Sequence, residues 1–265
     1  MTEHISVRTE GPIGRVSLNR PDKLNALTLE MLDGLADAAR TLRDDLDVRV
    51  VLLDGVGESF CAGLDFARTL ADRAGIARAF VPRPWRGTNT FQEACQGFRR
   101  IPVPVIAAVH GNCLGGGLQV ALGADFRFTT PDARWSVLEG KWGLIPDMSG
   151  IRTLADQIGM AEAKRLTMTA EVIDGTEAAR LGLAMLTQDP AGAAEELSAT
   201  LLTRSPDALA AAKRLFENSW NAGPRATFAR ERREQLRLLL SSNTARARSA
   251  AFGGKHAEFE ARARR

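Results

Sequence analysis

The chain has few of the residues that hold metals or disulfides. Its 265 residues include three cysteines and three histidines. Cys61, Cys95 and Cys113 form an odd set without metal-ligand spacing. They read as reduced, mostly buried thiols of a cytosolic protein, and no metal site is expected. His4, His110 and His256 are the histidines, and none falls in the segment Phe66 to Arg100 that follows Asp65. No apolar run is long enough to cross a bilayer, because Arg, Asp or Pro interrupts each one. The start, Met-Thr-Glu-His-Ile-Ser, has neither a basic nor an apolar segment, so no secretory signal is expected. Arginines interleaved with aromatics are missing, which argues against nucleic acid as a partner. No internal repeat or low-complexity tract is evident.

What is present suits a soluble globular protein. Hydrophobic residues make up 45% and charged residues 25% of the chain, with a net charge of +3 carried mostly by arginine. That charge reads as a solvated surface, and an anionic ligand would need a local Arg or Lys cluster. The length suits one large domain, or one domain with an appendage. Residues 1–205 read as the core and 206–265 as a helical C-terminal region.

Strands and helices alternate through the first part, which argues α/β. Ile5 to Arg8 and Arg15 to Asn19 alternate about Gly11-Pro12-Ile13-Gly14, a hairpin signal. Thr28 can cap a helix whose apolar positions are Leu29, Leu32, Leu35, Ala36 and Ala39. Val48 to Asp54, Val103 to Val109 and Asp125 to Thr129 read as strands. The stretch Phe66 to Arg100 is broken by Gly75, Pro82, Pro84 and Gly87. It reads as a mobile lid or a loose connection, with a substrate-specificity loop favoured. Helical patterns follow at 151–158, 161–168, 176–181, 208–220, 224–240 and 244–252. The end, Ala-Arg-Ala-Arg-Arg, reads as a frayed tail.

Two turns hold the chemistry. Cys61-Ala62-Gly63-Leu64-Asp65 follows the first strand, and Gly115-Gly116-Gly117 follows the second. Glycine-bearing turns at the carboxyl ends of strands are where α/β sheets bind ligands. Backbone N–H groups exposed side by side there can form an oxyanion hole. The triple glycine taken alone also fits a plain tight strand-to-helix turn.

The wording is more specific than the glycines alone. Ser59-Phe60-Cys61-Ala62-Gly63-Leu64-Asp65 and His110-Gly111-Asn112-Cys113-Leu114-Gly115-Gly116-Gly117 resemble the two oxyanion-hole segments of the crotonase (enoyl-CoA hydratase/isomerase) superfamily. The resemblance extends to Leu18 through Leu27, Gly123 through Arg127, Glu139 through Pro146 and Leu166 through Leu183. It implies a spiral of ββα units with a C-terminal helical trimerisation region. It also implies trimers, often paired as hexamers, and acyl-CoA thioester substrates, with CoA entering as part of the substrate and no separate cofactor. The amides of Leu64 and Gly116 would form the oxyanion hole. Lys23, Ala26, Ala62 and Asp65 fall in the segments that line CoA, and Phe252 and Lys255 match a C-terminal pair that approaches it.

The chain departs from the hydratase pattern at one catalytic position. Family hydratases carry two glutamates that hold the attacking water. Here the first is replaced by Gln119 and the second aligns with Glu139. An amide cannot transfer a proton at neutral pH, though it can bond a water. Glu139 therefore becomes the main general acid or base, the alternative being a surface carboxylate paired with Lys141 or Arg134. Asp147 stands where dienoyl-CoA isomerases and halobenzoyl-CoA dehalogenases carry Asp, and it could instead cap the helix near Ser149. A dehalogenase would need a histidine in the loop after Asp65, which is absent. One-base chemistry of a Δ3,Δ2-enoyl-CoA isomerase fits this constellation, and hydration stays open if Gln119 positions water. A non-catalytic homologue that binds acyl-CoA or RNA would have no need of Glu139. A serine peptidase of the Clp type would need a Ser–His pair beside the oxyanion turns.

Overall fold

The computed structural model describes residues 3–254 and 257–264. The hairpin forms as the alternation requires. β1 (Ile5–Glu10) pairs antiparallel with β2 (Ile13–Leu18), register Ile5 to Leu18. Thr28 caps α1 (Leu29–Asp44), its hydroxyl accepting from Met31 N at 3.2 Å. Helical spacing puts Met31, Leu32, Leu35 and Ala39 of α1 into the core. β3 (Val50–Gly55) returns parallel to β2, and β4 (Val105–Val109) lies parallel to β3. Both β3 and β4 are apolar on nearly every residue because both faces are covered.

The stretch after Asp65 is more regular than its breakers suggest. It holds α2 (Phe66–Ala71), α3 (Arg73–Phe80) and α4 (Thr90–Arg99). Asp65, Asp72 and Asn89 each cap the helix that follows them. The breakers therefore punctuate three short helices rather than one loose loop.

Beyond β4 the chain makes β5 (Asn112–Leu114), α5 (Gly116–Ala121), β6 (Phe126–Thr129) and β7 (Arg134–Ser136). A 3₁₀ turn at Leu138–Trp142 leads to α6 (Gly150–Ile158) and α7 (Met160–Thr169). Then come β8 (Ile173–Asp174), α8 (Gly175–Leu181), β9 (Met185–Leu186) and α9 (Pro190–Leu202). One sheet has the order β1-β2-β3-β4-β6-β9, and a smaller one has the order β5-β7-β8. The small sheet and α9 were not legible in the sequence, because two- and three-residue strands carry too little periodicity. Cys61, Cys95 and Cys113 are all buried and unpaired. Among the described residues no helix is long and apolar enough to cross a membrane.

The C-terminal region is α10 (Pro206–Ser219), α11 (Pro224–Leu239) and α12 (Ser242–Gly253). Lys213 of α10 reaches into the core. Its ammonium donates to Phe98 O, Val103 O and Asp125 Oδ2 at 3.2, 3.0 and 2.7 Å. The frayed-tail expectation is corrected: Arg262 is 5% exposed and donates to the carbonyls of Arg43 and Asp45. Ala263 N and Glu260 N also bond Asp207 and Asn243. An arginine-rich end looks solvated, but guanidinium groups serve equally well as caps for orphan helix-end carbonyls.

The Lys213 anchor makes a stability prediction. Lys213→Met leaves Asp125 without its cation and should cost about 3 kcal/mol, read as a lowered midpoint in thermal or urea unfolding. An unchanged midpoint would show that α10 is not held by this ion pair.

Candidate active site

The segment Leu18 through Leu27 is a brace. Leu24 and Asn25 adopt positive φ (49° and 57°), which folds the segment back on itself. Buried Asn25 donates to Val56 O and Ser59 O at 2.9 and 2.8 Å and accepts from Arg20 N. Arg20 donates to Ala26 O and pairs with Asp65 at 2.8 Å. Leu27 N then bonds Gly63 O, and Asp65 N bonds Leu27 O, at 2.7 and 2.8 Å. This short parallel bridge places Leu64 opposite Leu27. Successive groups on an extended strand alternate sides, so the Leu64 N–H faces away from Leu27.

A second bridge brings the other turn alongside. Cys61 pairs with Cys113 through Cys61 N to Asn112 O and Leu114 N to Cys61 O, at 2.7 and 3.0 Å. Gly116 opens α5, so its N–H has no acceptor within the helix. Among the described residues neither Leu64 N nor Gly116 N has a backbone acceptor. The two turns lie close. A Cβ built on Gly116 would sit 3.9 Å from Leu64 N and 3.1 Å from Met148 Sδ. Gly63 has φ of +100°, and a Cβ there would sit 3.0 Å from Leu114 O. Side chains at either glycine would crowd the space between the amides.

Glu139 lies on the 3₁₀ turn and is buried at 8% exposure. Its Oε1 accepts from Gln119 Nε2 at 2.6 Å, while its Oε2 is buried without a hydrogen-bond partner among the described residues. Burial pushes the Glu139 carboxyl above its ordinary value, and Asp147 adds to the rise, against lowering hydrogen bonds from Gln119 and its own backbone. Neither Lys141 nor Arg134 pairs with it, so the surface-carboxylate alternative is set aside. Gln119 Oε1 accepts from Met148 N and Gly150 N at 2.9 and 3.0 Å. Both acceptor positions of the amide oxygen are thus used, which leaves that oxygen none for a water.

These groups share a cavity of about 480 Å³. Leu64, Gly115, Gly116, Glu139 and Asp147 line it, with apolar walls from α2, α3 and the segment 142–148. Ring contacts of Phe66 with Trp142 (5.4 Å) and Phe80 with Phe91 (5.1 Å) hold the walls. A larger cavity of about 1070 Å³ lies between α1, α4, α10 and the tail, where Arg43, Arg99 and Arg100 are each paired with a carboxylate. The smaller one has the mixture expected of a small-molecule site, apolar walls with a few convergent polar groups.

Comparison with known proteins decides the family. The enoyl-CoA hydratase/isomerase family matches residues 8–256. The chain belongs to that family. A peroxisomal Delta(3,5)-Delta(2,4)-dienoyl-CoA isomerase of Arabidopsis thaliana is 31% identical over 68% of this chain and 67% of its own. A probable enoyl-CoA hydratase of Mycobacterium tuberculosis is 32% identical over 83% of this chain and 85% of its own. The solved structure of a putative enoyl-CoA hydratase from Streptomyces coelicolor superposes with a TM-score of 0.89 at 30% identity, covering 98% of this chain and 95% of that one. This is a mixed α/β fold of the crotonase type with a helical C-terminal region, and the protein is an enzyme of the hydratase/isomerase class.

The other residues singled out in this hydratase/isomerase chain are placed as follows. Asp147 lines the cavity and burial raises its pKa. It does not cap α6, whose N-cap Ser149 has φ of 74° and receives no side-chain cap bond. Ala62 is on the cavity wall, half-buried. Ala26 is half-buried and Lys23 exposed on the brace. The Asp65 carboxylate is committed to Arg20 and to Arg68 N. Burial would raise its pKa, and these partners outweigh burial and lower it. Phe252, on α12, is 91% exposed in the single chain. Lys255 lies outside the described residues. The clip made by Gln119 and the brace made by Arg20 and Asn25 went unread in the sequence. Asn in a turn was the one signal available for the brace.

The raised Glu139 pKa has a stability consequence. A carboxyl that holds its proton more tightly folded than unfolded destabilises the fold as pH rises from the unfolded value, about 4.3, through the folded value. Glu139→Gln should therefore raise the thermal midpoint at neutral pH, and the gain should vanish below about pH 4, where both states are protonated. A gain that persists in acid would assign it to packing instead.

Proposed function

We propose that the enzyme shifts a double bond in an unsaturated acyl-CoA thioester, with Glu139 as the proton-transfer group. The observation that carries this is Glu139 itself: one oxygen tethered by a neutral amide, the other buried and free, on a cavity wall that also presents two free backbone amides. The thioester oxygen sits between Leu64 N–H and Gly116 N–H. Glu139 Oε2 removes a proton from C2 of a 3-enoyl chain. The electron pair moves to the thioester oxygen, and the two donors stabilise that charge by ~3 kcal/mol each. The same carboxyl, now protonated, returns the proton at C4, and the double bond closes between C2 and C3. Desolvation makes Glu139 a stronger base than a solvated glutamate. No cofactor is needed beyond the CoA of the substrate.

Hydration is disfavoured because Gln119 can hold a water only through its remaining N–H, both acceptor positions of its oxygen being used. A second reading rests on Asp147. It faces the same cavity without a capping role. In a conjugated dienoyl chain Asp147 and Glu139 could divide the proton transfer, one at the near carbon and one at the far carbon. The resemblance to dienoyl-CoA isomerases, which carry an Asp and a Glu at these positions, supports this. Lys23, Ala26 and Ala62 would receive the CoA nucleotide beside the brace, with Asp65 holding that loop. Phe252 and Lys255 would approach CoA across a subunit boundary. Three buried, unpaired thiols support a cytoplasmic location.

The test separates the readings. Glu139→Gln should lower turnover about 100- to 10,000-fold and leave acyl-CoA affinity nearly unchanged. On a panel of thioesters, bond migration should outrun hydration. Gln119→Glu sets a second carboxylate against Glu139 and should raise hydration relative to migration. Wild-type turnover in Glu139→Gln sinks the proposal. Full loss in Asp147→Asn with an active Glu139→Gln moves the base to Asp147.

We also propose a trimer or a hexamer. The helices α11 and α12 and the intervening Leu240 expose Phe228, Leu236, Leu239, Leu240 and Phe252, apolar side chains that contact with a further copy would cover. Light scattering at micromolar concentration should give three or six chain masses, and a monomer would overturn this assembly.

A further inference from the structure

The cavity wall includes an aliphatic hydroxyl that the reaction does not use. Thr69, on α2, lines the cavity, is 4% exposed, and its Oγ1 is buried with no hydrogen-bond partner among the described residues. Its backbone groups are satisfied, Thr69 N by Asp65 O at 2.9 Å and Thr69 O by Asp72 N at 3.0 Å. A helical threonine commonly returns its hydroxyl to the carbonyl four residues back, and here that bond is not made. Burying an unpaired hydroxyl is costly, and such groups are rare in folded proteins unless a ligand completes them.

The neighbours of Thr69 on this wall make the hydroxyl stand out. Phe66, Leu70, Ile76, Phe80 and Phe91 are all apolar. Among the described lining residues Thr69 has the one aliphatic hydroxyl, and no lysine or arginine is present. A carboxylate on the acyl chain would have no counter-charge there. A neutral oxygen needs none and can bond the hydroxyl. In this rotamer the Oγ1 exposes almost no surface to the cavity. Threonine populates two χ1 wells in helices, and contact with an acyl chain uses a rotation that moves the hydroxyl out of its present position.

We propose that Thr69 selects acyl chains carrying a neutral oxygen function, a hydroxyl or a keto group, beyond the reacting carbons. This rests on the cavity being the acyl chamber of the proposed function. The apolar wall accepts the hydrocarbon, and Thr69 Oγ1 donates to the chain oxygen or accepts from its hydroxyl. An unsubstituted chain leaves the hydroxyl buried and unpaired, so discrimination comes from the bond gained with one substrate and the penalty kept with the other.

Saturated acyl-CoA pairs test this without any chemistry. Each pair matches in length, one member bearing a hydroxyl or keto group at successive carbons of the distal half. Calorimetric Kd ratios are compared in wild type, Thr69→Val and Thr69→Ser. For at least one position the oxygenated member should bind wild type better, and Thr69→Val should erase about 10-fold of that preference. Thr69→Ser should keep it. Thr69→Val should bind the unsubstituted chain at least as tightly as wild type. Thr69→Ala gives the same ratio independently of how valine packs. Equal ratios in wild type and both hydroxyl-free variants at every position overturn the role of Thr69 while leaving the bond-shift reading intact. Failure of every acyl-CoA to bind overturns both. A Thr69-dependent ratio in a protein that turns over no enoyl-CoA upholds the selectivity and sinks only the bond shift.

Discussion

Everything at the reacting end of the cavity depends on how the Gln119 amide is held. Its oxygen takes two backbone N–H groups, Met148 and Gly150, and its nitrogen gives a bond to Glu139. Those contacts fix which way the amide points, since only an oxygen can accept from both amides. They also tie α5, the 3₁₀ turn and the start of α6 into one unit. Gly150 packs so close that a Cβ there would lie 2.6 Å from Gln119 Oε1. A carboxylate in the place of Gln119 would face Glu139 directly, and two such groups cannot both ionise. The amide leaves Glu139 as the single titrating group at that spot, with one oxygen committed and one open.

The two free amides need no particular side chain, only two bridged turns held in register. That work falls to the brace. Asn25 and Arg20 are buried polar groups whose side-chain bonds engage backbone carbonyls, the Arg20 N–H and Asp65. Such networks rigidify when every member is satisfied. The opposite end of the cavity is built differently, from ring contacts and aliphatic side chains on three short helices. One end is fixed by hydrogen bonds, and the other is shaped by packing.

The C-terminal region joins the core by buried cations as well as by Pro206, Ala210 and Ala211 of α10. Lys213 fills a ring of carbonyls and one carboxylate, and Arg262 closes orphan carbonyls after α1. With those bonds made inward, the apolar side chains of α11 and α12 are left facing out. A cation in carbonyl cups is directional, so it sets how these helices are presented as well as holding them.

The main strands and most helices, the Thr28 cap and the two glycine turns could be read from the residues alone. Each is local: periodicity, a capping side chain, or a turn that only glycine tolerates. The small sheet and the ordered tail could not, because their pairings join residues far apart in the chain, and the helices after Asp65 were hidden by the Pro and Gly residues around them. The site shows the same division. Residue type names Glu139 as the group able to move a proton. The fold alone decided that one of its oxygens is tethered, that Asp147 faces the cavity instead of capping α6, and that Thr69 is buried with its hydroxyl unpaired. Those properties belong to distances between segments, and a linear pattern carries no distance.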